Sequence, residues 1–216
     1  MEQIHQQKKF LKENLKINLR VIAVSNSRKM HFDEDGIPLK EWQSQLTNGE
    51  TADKETFISK VKTLNLRNSI FVDITANQAV SETYEHYLKQ NVAVVTCNKI
   101  ACSSAYDNYK KLKNLSRQFN APFLFETNVG AGLPLIDTIK LLHLSGENIT
   151  KIKGVFSGTL SYLFNNFSVE NKKFSEVLQE AIDKGFTEPD PREDLNGNDV
   201  GRKLLILARE LDLQNE

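Results

Sequence analysis

The stretch Ser69–Cys97, SIFVDITANQAVSETYEHYLKQNVAVVTC, holds two short apolar runs on either side of a helical pattern. The runs Ser69–Ile74 and Val92–Cys97 are rich in β-branched residues, which is typical of strands buried in a parallel sheet. The segment at about 78–90 between them predicts a helix. A strand, a helix and a second strand of these lengths form a βαβ unit, so the stretch predicts a parallel sheet covered by helices.

The alternation of strand and helix continues on both sides. Before the stretch, the sequence predicts a helix at 3–16, a buried parallel strand at Leu19–Val24 and a helix at about 54–65. After it, a helix near 104–119 precedes a strand at Phe123–Thr127. A doubly wound nucleotide-binding domain normally opens with a strand and a glycine-rich turn, yet the sequence contains no GxGxxG. We therefore predict an α/β fold with a truncated Rossmann-like parallel sheet, its first strand and Gly-rich loop missing.

The character of the sequence changes after about residue 126. The segment Lys151–Gly158, KIKGVFSG, predicts a strand that ends in a turn, and Gly185 is placed to end a helix as its C-cap. Four further segments predict helices: IDTIKLLHL, TLSYLFNNF, FSEVLQEAIDKG and DVGRKLLILAREL. We divide the chain into a partial Rossmann domain, 1–125, and the beginning of a second, α+β domain, 126–216.

Composition excludes several classes of protein. Lys plus Arg and Asp plus Glu both number 28, so no charge excess points to nucleic acid or a membrane surface. The two cysteines, Cys97 and Cys102, form no CxxC pair, which fits a reducing cytoplasm. No apolar run approaches the ~20 residues of a membrane span, and the N-terminus is too polar for a signal peptide. We expect a soluble cytoplasmic protein.

The segment Gly185–Lys203, GFTEPDPREDLNGNDVGRK, places several acids and two prolines before a helix. The prolines fix φ and restrict the residues before them, so the carboxylates are held in place. One interpretation is a solvated acidic loop, with Asn196 as the helix N-cap. A calcium loop fits poorly, because Pro191 and Leu195 interrupt the alternating oxygen ligands of an EF-hand. The third interpretation is an acid/base site.

Asp199 and Lys203 stand four residues apart, acid first, the spacing of a surface ion pair worth ~0.2–0.5 kcal/mol. Lys203, however, shares a helix face with Val200 and Leu207, whereas we assign Arg209 to the more polar side. A lysine on a packed face needs partners, and burial lowers its pKa toward a range useful for proton transfer. Fixed carboxylates beside such a lysine would form an acid/base site.

Polar residues also follow the predicted strands. Lys99 comes after the carboxyl end of one strand, and Asp73, Thr75 and Ala76 lie at the end of the preceding strand. Ligands of open α/β sheets bind outside these ends. An exposed loop lysine is the alternative for Lys99.

The segment Glu126–Pro134, ETNVGAGLP, reads as a structural turn whose glycines allow positive φ. The alternative is a site for a hard cation, held by Glu126 and backbone carbonyls. The residues alone favour the turn.

Together these segments resemble the homoserine dehydrogenase family, most closely the dehydrogenase part of the bifunctional aspartokinase/homoserine dehydrogenases. The motifs that carry the resemblance, in register over almost the whole chain, are VVTCNKIA, ETNVGAGLP, GVFSGTLSY and TEPDPREDLNGNDVGRK. The resemblance implies an NAD(P)-dependent, reversible reduction of L-aspartate 4-semialdehyde to L-homoserine, a step toward threonine and methionine. On this basis 1–125 is a partial NAD(P)-binding domain, and 126–216 begins the catalytic and dimerisation domain.

The resemblance also implies roles for single residues. Lys203 is the general acid toward the carbonyl oxygen, and Asp199 binds the substrate hydroxyl and orients that lysine. Glu188 and Asp194 hold the amino-acid head group, while Lys99 lies between nicotinamide and substrate. A zwitterion needs acids for its ammonium group, and a carbonyl being reduced needs a proton donor.

Further contacts are implied around this centre. Thr159 and Phe186 match substrate contacts, although Phe186 stands where the family often has tyrosine, so one hydrogen bond is lost. Thr75 and Ala76 match cofactor contacts. The family's sodium or potassium site maps onto Glu126 and the backbone carbonyls of three residues, namely Val129, Ala131 and Leu133.

For the cofactor, the segment Ser25–Lys29, SNSRK, has no acid for a ribose diol. Its Ser27 and Arg28 suit a 2′-phosphate, so we expect NADP to be preferred over NAD. The resemblance further implies a homodimer and a covalently linked aspartokinase domain. The alternative from a different class is a catalytically silent module that folds or dimerises without binding cofactor productively.

Overall fold

The computed structural model describes residues 1–168, 171–188 and 190–215. They form two compact units, Met1–Leu66 and Arg67–Glu216. The predicted domain boundary at residue 125 divides the chain by another criterion than these compact units, and it stays a prediction.

The first unit is a small antiparallel sheet with helices around it. Its buried apolar residues include Met30, Ile37 and Leu46. Its elements, in chain order, are α1 (Glu2–Asn14), β1 (Ala23–Ser25), β2 (Lys29–Phe32), α2 (Trp42–Thr47), β3 (Glu50–Thr51) and α3 (Lys54–Leu64). The predicted helices at 3–16 and 54–65 are confirmed.

The predicted parallel strand at Leu19–Val24 is wrong. The strand is the shorter β1, and it pairs antiparallel with β2, which in turn pairs antiparallel with β3. The cause is a tight turn: the side chain of Asn26 accepts hydrogen bonds from the backbone N–H of Arg28 and Lys29, both at 2.8 Å. Such a turn reverses the chain at once and makes a hairpin.

The second unit contains the predicted βαβ unit. Its three strands run parallel in the order β4, β5, β6, and Val72 of β4 lies beside Val95 of β5. The elements are β4 (Ile70–Asp73), α4 (Gln78–Ser81), α5 (Tyr84–Leu88), β5 (Ala93–Thr96), α6 (Ile100–Ser103), α7 (Tyr106–Gln118) and β6 (Phe123–Leu124). Helix α7 buries Tyr109, Leu112 and Leu115, whose spacing places them on one face. The mixed α/β fold with a parallel sheet is thereby confirmed.

Helices dominate the rest of this unit. After a 3₁₀ turn at Glu126–Asn128 come α8 (Leu135–Leu144), α9 (Gly158–Phe167), α10 (Phe174–Asp183), α11 (Pro191–Leu195) and α12 (Asn198–Glu210). The four predicted helices are confirmed, but the predicted strand within Lys151–Gly158 is wrong. No strand of the described residues pairs with this segment, and Val155 is 80 % exposed. A strand requires such a partner for its backbone hydrogen bonds.

Helix α10 ends as its sequence predicts. Gly185 has a φ of +69°, its N–H donates to the carbonyl of Ile182, and the N–H of Phe186 donates to that of Ala181. These two bonds form a Schellman motif, in which glycine takes the left-handed conformation without steric cost. The motif directs the chain from α10 into the acidic loop.

The longest helices in the described ranges have 13 residues. None of the helices described there combines the length and apolar character that crossing a membrane would need.

Candidate active site

Two lysines and two carboxylates from distant parts of the chain meet in the second unit. The Nζ of Lys99 lies 2.9 Å from Oε1 of Glu188 and 2.9 Å from Oδ1 of Asp199. The other oxygen of Asp199, Oδ2, lies 2.6 Å from Nζ of Lys203. Asp199 therefore bridges the two ammonium groups, and we call these four residues the lysine–carboxylate cluster.

Secondary structure holds each member of the cluster in place. Lys99 is the N-cap residue of α6, at the carboxyl end of β5. Asp199 lies in the first turn of α12 and Lys203 in the next turn, where its Nζ also donates to the carbonyl of Phe156 at 2.7 Å. The side chains of Asp199 and Lys203 are only 6 % and 18 % exposed, so they do not form an exposed surface pair.

The partners in the cluster set its charge state. Burial disfavours the charged form of Lys99, but hydrogen bonds and charges from Glu188 and Asp199 outweigh it and raise the pKa of Lys99. Burial likewise opposes ionisation of Asp199, yet Lys203 and Lys99 outweigh it and lower the pKa of Asp199. At neutral pH Lys99 is therefore an ammonium group and Asp199 a carboxylate.

The acidic loop is packed rather than fully solvated. Asp194 is 3 % exposed, and its Oδ2 accepts a hydrogen bond from the backbone N–H of Glu188 at 2.8 Å. Thr159 donates from Oγ1 to the carbonyl of Phe186 at 2.7 Å, which fixes the other side of the loop. Pro189, one of the two prolines thought to stiffen the loop, lies outside the described residues.

The predicted N-cap of α12 is displaced by one residue. Gly197, with a φ of +78°, occupies that position. Asn196 lies just before it, and its side chain accepts a hydrogen bond from the N–H of Asn198 at 2.9 Å. Asn196 thus still satisfies a donor of the first helical turn.

The cluster opens into a cavity of about 490 Å³. Lys99 and Lys203 line it, together with Ile152–Phe156 and with Thr127, Asn128, Gly130, Ala131 and Leu133. On the described residues, no group of three or more His, Cys, Asp and Glu side chains is arranged to hold a metal ion.

Family models match both parts of the chain. The model for the homoserine dehydrogenase NAD binding domain matches residues 1–126, and the homoserine dehydrogenase model matches residues 134–216. This chain belongs to the homoserine dehydrogenase family. The resemblance inferred from the four motifs is confirmed, and the matches favour an enzyme over the silent module.

Individual relatives agree with this assignment. The bifunctional aspartokinase/homoserine dehydrogenase 1 of Arabidopsis thaliana is 47 % identical over 216 residues, covering 99 % of this chain and 24 % of that protein. The homoserine dehydrogenase of Schizosaccharomyces pombe is 38 % identical over 198 residues, covering 89 % of this chain and 53 % of that protein. The chain thus spans about a quarter of the bifunctional relative and about half of the yeast protein.

A solved structure of the family has the same fold. It is a hyperthermophilic archaeal homoserine dehydrogenase in complex with NADPH, with a TM-score of 0.74 and 27 % identity. The match covers 94 % of this chain and 64 % of that one.

The residues expected to contact the cofactor lie in two places. Thr75 and Ala76 follow β4 in the second unit, where both are exposed. Ser27 and Arg28 lie in the β1–β2 hairpin of the first unit and are also exposed. All four are accessible to a ligand.

The residues of the predicted cation site fit an ion in part. Gly130 and Ala131 have φ of +82° and +51°, and among the described residues no hydrogen bond is recorded to the carbonyls of Val129 and Ala131. Glu126 instead accepts hydrogen bonds from the N–H of Ile136 and Asp137 at the start of α8. The carbonyl of Leu133 accepts from the N–H of Leu135. The carbonyls of Val129 and Ala131 suit a hard cation. The oxygens of Glu126 and Leu133 already accept hydrogen bonds and would have to bind the ion in addition.

Sequence reasoning missed several residues around the cluster. The carbonyl of Phe156 has no side-chain signal and could not have been found. Asn98, directly before Lys99, was visible as a polar residue after a strand, whereas Asp73 had already been identified at the end of the preceding strand. The assignment of Arg209 to the polar side of α12 was wrong: it is 1 % exposed and donates to the carbonyl of Cys102 at 2.8 Å.

Proposed function

We propose that this chain carries the catalytic residues of a homoserine dehydrogenase that reduces L-aspartate 4-semialdehyde to L-homoserine with NADPH, in a reversible reaction. The observation that carries the proposal is the lysine–carboxylate cluster facing the cavity. Asp199 bridges Lys99 and Lys203 there, with N–O distances of 2.9 and 2.6 Å.

Bound NADPH would supply the hydride, and this chain's residues would supply the proton. Lys203 holds a proton on Nζ and donates it to the aldehyde oxygen, where negative charge develops as the carbonyl is reduced. Asp199 orients Lys203 through the bond between Oδ2 and Nζ. Because Phe156 accepts a second hydrogen bond from the same nitrogen, one further proton of the ammonium remains for the substrate.

Lys99 would act as a fixed positive charge. Its raised pKa keeps it protonated at neutral pH, so it would attract the developing oxyanion and orient the substrate without giving up its proton. Glu188 reaches Lys99 and has a side chain that is 37 % exposed, and it would receive the ammonium group of the substrate. Asp194 would support that role by holding the backbone of Glu188.

The protein that contains this chain tests the proposal. Purified in full length, it is expected to oxidise NADPH only when L-aspartate 4-semialdehyde is added, with homoserine identified by mass spectrometry as the product. NADPH consumption that stays at the rate without enzyme would contradict the proposal.

The finer cofactor preference rests on Arg28, exposed in the hairpin and without an acidic neighbour in SNSRK. We expect kcat/KM to be at least tenfold higher with NADPH than with NADH, and Arg28→Ala to remove most of the difference. Comparable efficiencies with the two cofactors in the unmodified protein would contradict this preference.

The alkali cation is a further proposal, supported by the carbonyls of Val129 and Ala131, which accept no hydrogen bond from the described residues. Replacing sodium and potassium by tetramethylammonium, which is too large for such a site, is expected to lower turnover or thermal stability. Unchanged turnover and stability would contradict the proposed cation site.

The assembly around the chain is also proposed. The relatives named bifunctional carry an aspartokinase in the same chain, and we propose the same link here, together with a homodimer formed by the domain that begins at residue 126. Two free cysteines fit a reducing compartment such as the cytoplasm. Analytical ultracentrifugation of the full-length protein tests the dimer.

A further inference from the structure

A buried hydrogen-bond network joins the two turns that follow β4 and β5. At its centre is Asp73, the last residue of β4, which is 2 % exposed. Its Oδ1 accepts from the N–H of Thr75 at 2.7 Å, and its Oδ2 accepts from Nδ2 of Asn98 at 3.1 Å and from the hydroxyl of Tyr84 at 2.5 Å. One carboxylate therefore holds both turns.

Asn98 is the second centre of the network and the residue directly before Lys99. It is 1 % exposed, and its Nδ2 also donates to the carbonyl of Asn77 at 3.0 Å. Its Oδ1 accepts from the N–H of Ile100 at 3.1 Å, and its own N–H donates to Oγ1 of Thr96 at 2.8 Å. With both ends of its amide bonded, the side chain fixes the backbone on either side of Lys99.

We propose that Asp73 and Asn98 are positioning residues that couple the exposed turn at Thr75–Ala76 to the ammonium group of Lys99. The inference rests on the proposed function, in which that turn contacts the cofactor and Lys99 lies beside the substrate. Small displacements of a charged group in an active site have large effects on rate. The network would therefore act on cofactor affinity and on turnover together.

The hydrogen-bond chemistry favours positioning over simple filling of the core. Burying a carboxylate is costly unless donors satisfy it, and this one has three, two of them from the turns. A carboxamide at position 73 would have to turn its NH₂ group toward the NH₂ group of Asn98 if its oxygen kept the N–H of Thr75. The interaction is thus specific to one acid and one amide.

The experiment uses the full-length protein, with NADPH affinity measured by fluorescence titration, kcat by absorbance and stability by thermal unfolding. Asp73→Asn places two donors face to face, and Asn98→Asp places two carboxylates face to face. Each variant is expected to raise the Kd for NADPH and to lower kcat by about tenfold. The double variant restores one donor and one acceptor between positions 73 and 98 but leaves a carboxylate oxygen facing the carbonyl of Asn77, so it is expected to recover only part of both losses.

Tyr84→Phe is the matched control. It removes a donor to the same oxygen of Asp73 and a hydrogen bond with Oγ1 of Thr96, but it keeps the hydrogen bonds that Thr75 and Asn98 make to Asp73. It is expected to lower the melting temperature while Kd and kcat stay within about twofold at a temperature where the protein is folded. If Asp73→Asn does not fold, Asn98→Ala is expected to show the same paired loss of affinity and turnover.

The outcomes separate the two proposals. Single variants that lose only stability, or a double variant no better than the singles, would overturn the positioning role while the unmodified enzyme still turns over. An unmodified protein that neither binds NADPH nor reduces the semialdehyde would overturn the proposed function, and this inference with it.

Discussion

Helix α12 carries an acid and a base at each of its ends, and the two pairs lie in different surroundings. At its start, Lys203 lines the cavity, and Asp199 binds both Lys203 and Lys99. At its end, Arg209 is 1 % exposed, and the side chain of Glu210 is likewise 1 % exposed.

The pair at the end of the helix is bound entirely by protein groups. Arg209 donates to the carbonyl of Cys102, and its guanidinium lies 5.5 Å from the centre of the Tyr109 ring. Glu210 accepts hydrogen bonds from the Tyr109 hydroxyl and from Nζ of Lys113, the latter at 2.9 Å. These contacts anchor α12 to α6 and α7.

The difference shows that ion pairing alone does not identify a functional residue. Both ends of α12 are charged and largely buried. Glu210 at the second end borders a cavity of about 210 Å³, whereas the first end opens, at Lys203, to the larger cavity of about 490 Å³. Lys99 and Lys203 keep 21 % and 18 % of their side chains exposed there. We therefore expect substitutions at the start to change turnover and substitutions at the end to change stability.

The largest effect is expected from Asp199→Ala. It leaves Lys99 and Lys203 without their shared carboxylate, so neither ammonium group is held toward the substrate. We expect kcat to fall by about 10²–10⁴-fold, while the Kd for NADPH remains within about threefold, because no cofactor contact is assigned to Asp199. Steady-state kinetics measure kcat, and a NADPH titration measures the Kd. A kcat near that of the unmodified enzyme would show that the start of α12 matters no more for turnover than its end.

Arg209→Met comes next and tests the other end. It leaves the carbonyls of Cys102 and Asn215 without this donor and removes the contact with the Tyr109 ring, so the free energy of unfolding is expected to fall by about 1–3 kcal/mol. Turnover per folded molecule should stay within about threefold. The control is Arg202→Met on the same helix, whose side chain is 43 % exposed and which should change stability by less than ~1 kcal/mol.

Equal stability losses for the two arginine variants, measured by urea unfolding, would show that Arg209 is not an anchor. A loss of kcat in Arg209→Met that matches Asp199→Ala would instead place both ends of α12 in the active site.

A smaller effect, which depends on pH, tests whether Asp199 is ionised in the folded protein. The pKa of Asp199 is lowered in the folded protein, so its contribution to stability is present above the unfolded pKa of ~3.9 and is lost as pH falls through the folded value. Urea unfolding of Asp199→Asn is therefore expected to show a stability deficit that is constant from about pH 8 to pH 5 and shrinks below about pH 4. A deficit that grows on acidification would mean that this pKa is raised.

The smallest effect is expected from Phe186→Tyr, at the start of the acidic loop. The ring of Phe186 is half exposed and lies 5.1 Å from that of Tyr162. Adding a hydroxyl restores a donor that the family often has there, so the KM for the semialdehyde should fall about two- to tenfold with little change in kcat. An unchanged KM would mean that the hydroxyl does not reach the substrate.

The sequence predicted the elements of this fold better than their pairing. The βαβ unit and the helices follow from local periodicity, which each segment carries by itself. The antiparallel pairing of Ala23–Ser25 depends on the turn that Asn26 closes, and the irregular course of Lys151–Gly158 on the lack of a neighbouring strand. Both are decided by other parts of the chain.

The candidate site shows the same limit. Spacing could bring Asp199 and Lys203 together, because four residues make one helical turn. It could not bring Lys99 to them across about a hundred residues of sequence; the family resemblance did so. The burial of Arg209 could not be predicted from spacing either. Its charge indicated a solvent-exposed side chain, but two tyrosines from a helix far earlier in the chain surround it in the core.

Turnover of Lys203→Ala in the full-length enzyme at saturating NADPH tests whether Lys203 supplies the proton. If it does, kcat is abolished while the Kd for NADPH stays nearly unchanged. A kcat within about tenfold of the unmodified enzyme would leave only ~1.4 kcal/mol of the barrier to this lysine and would contradict its role as the general acid.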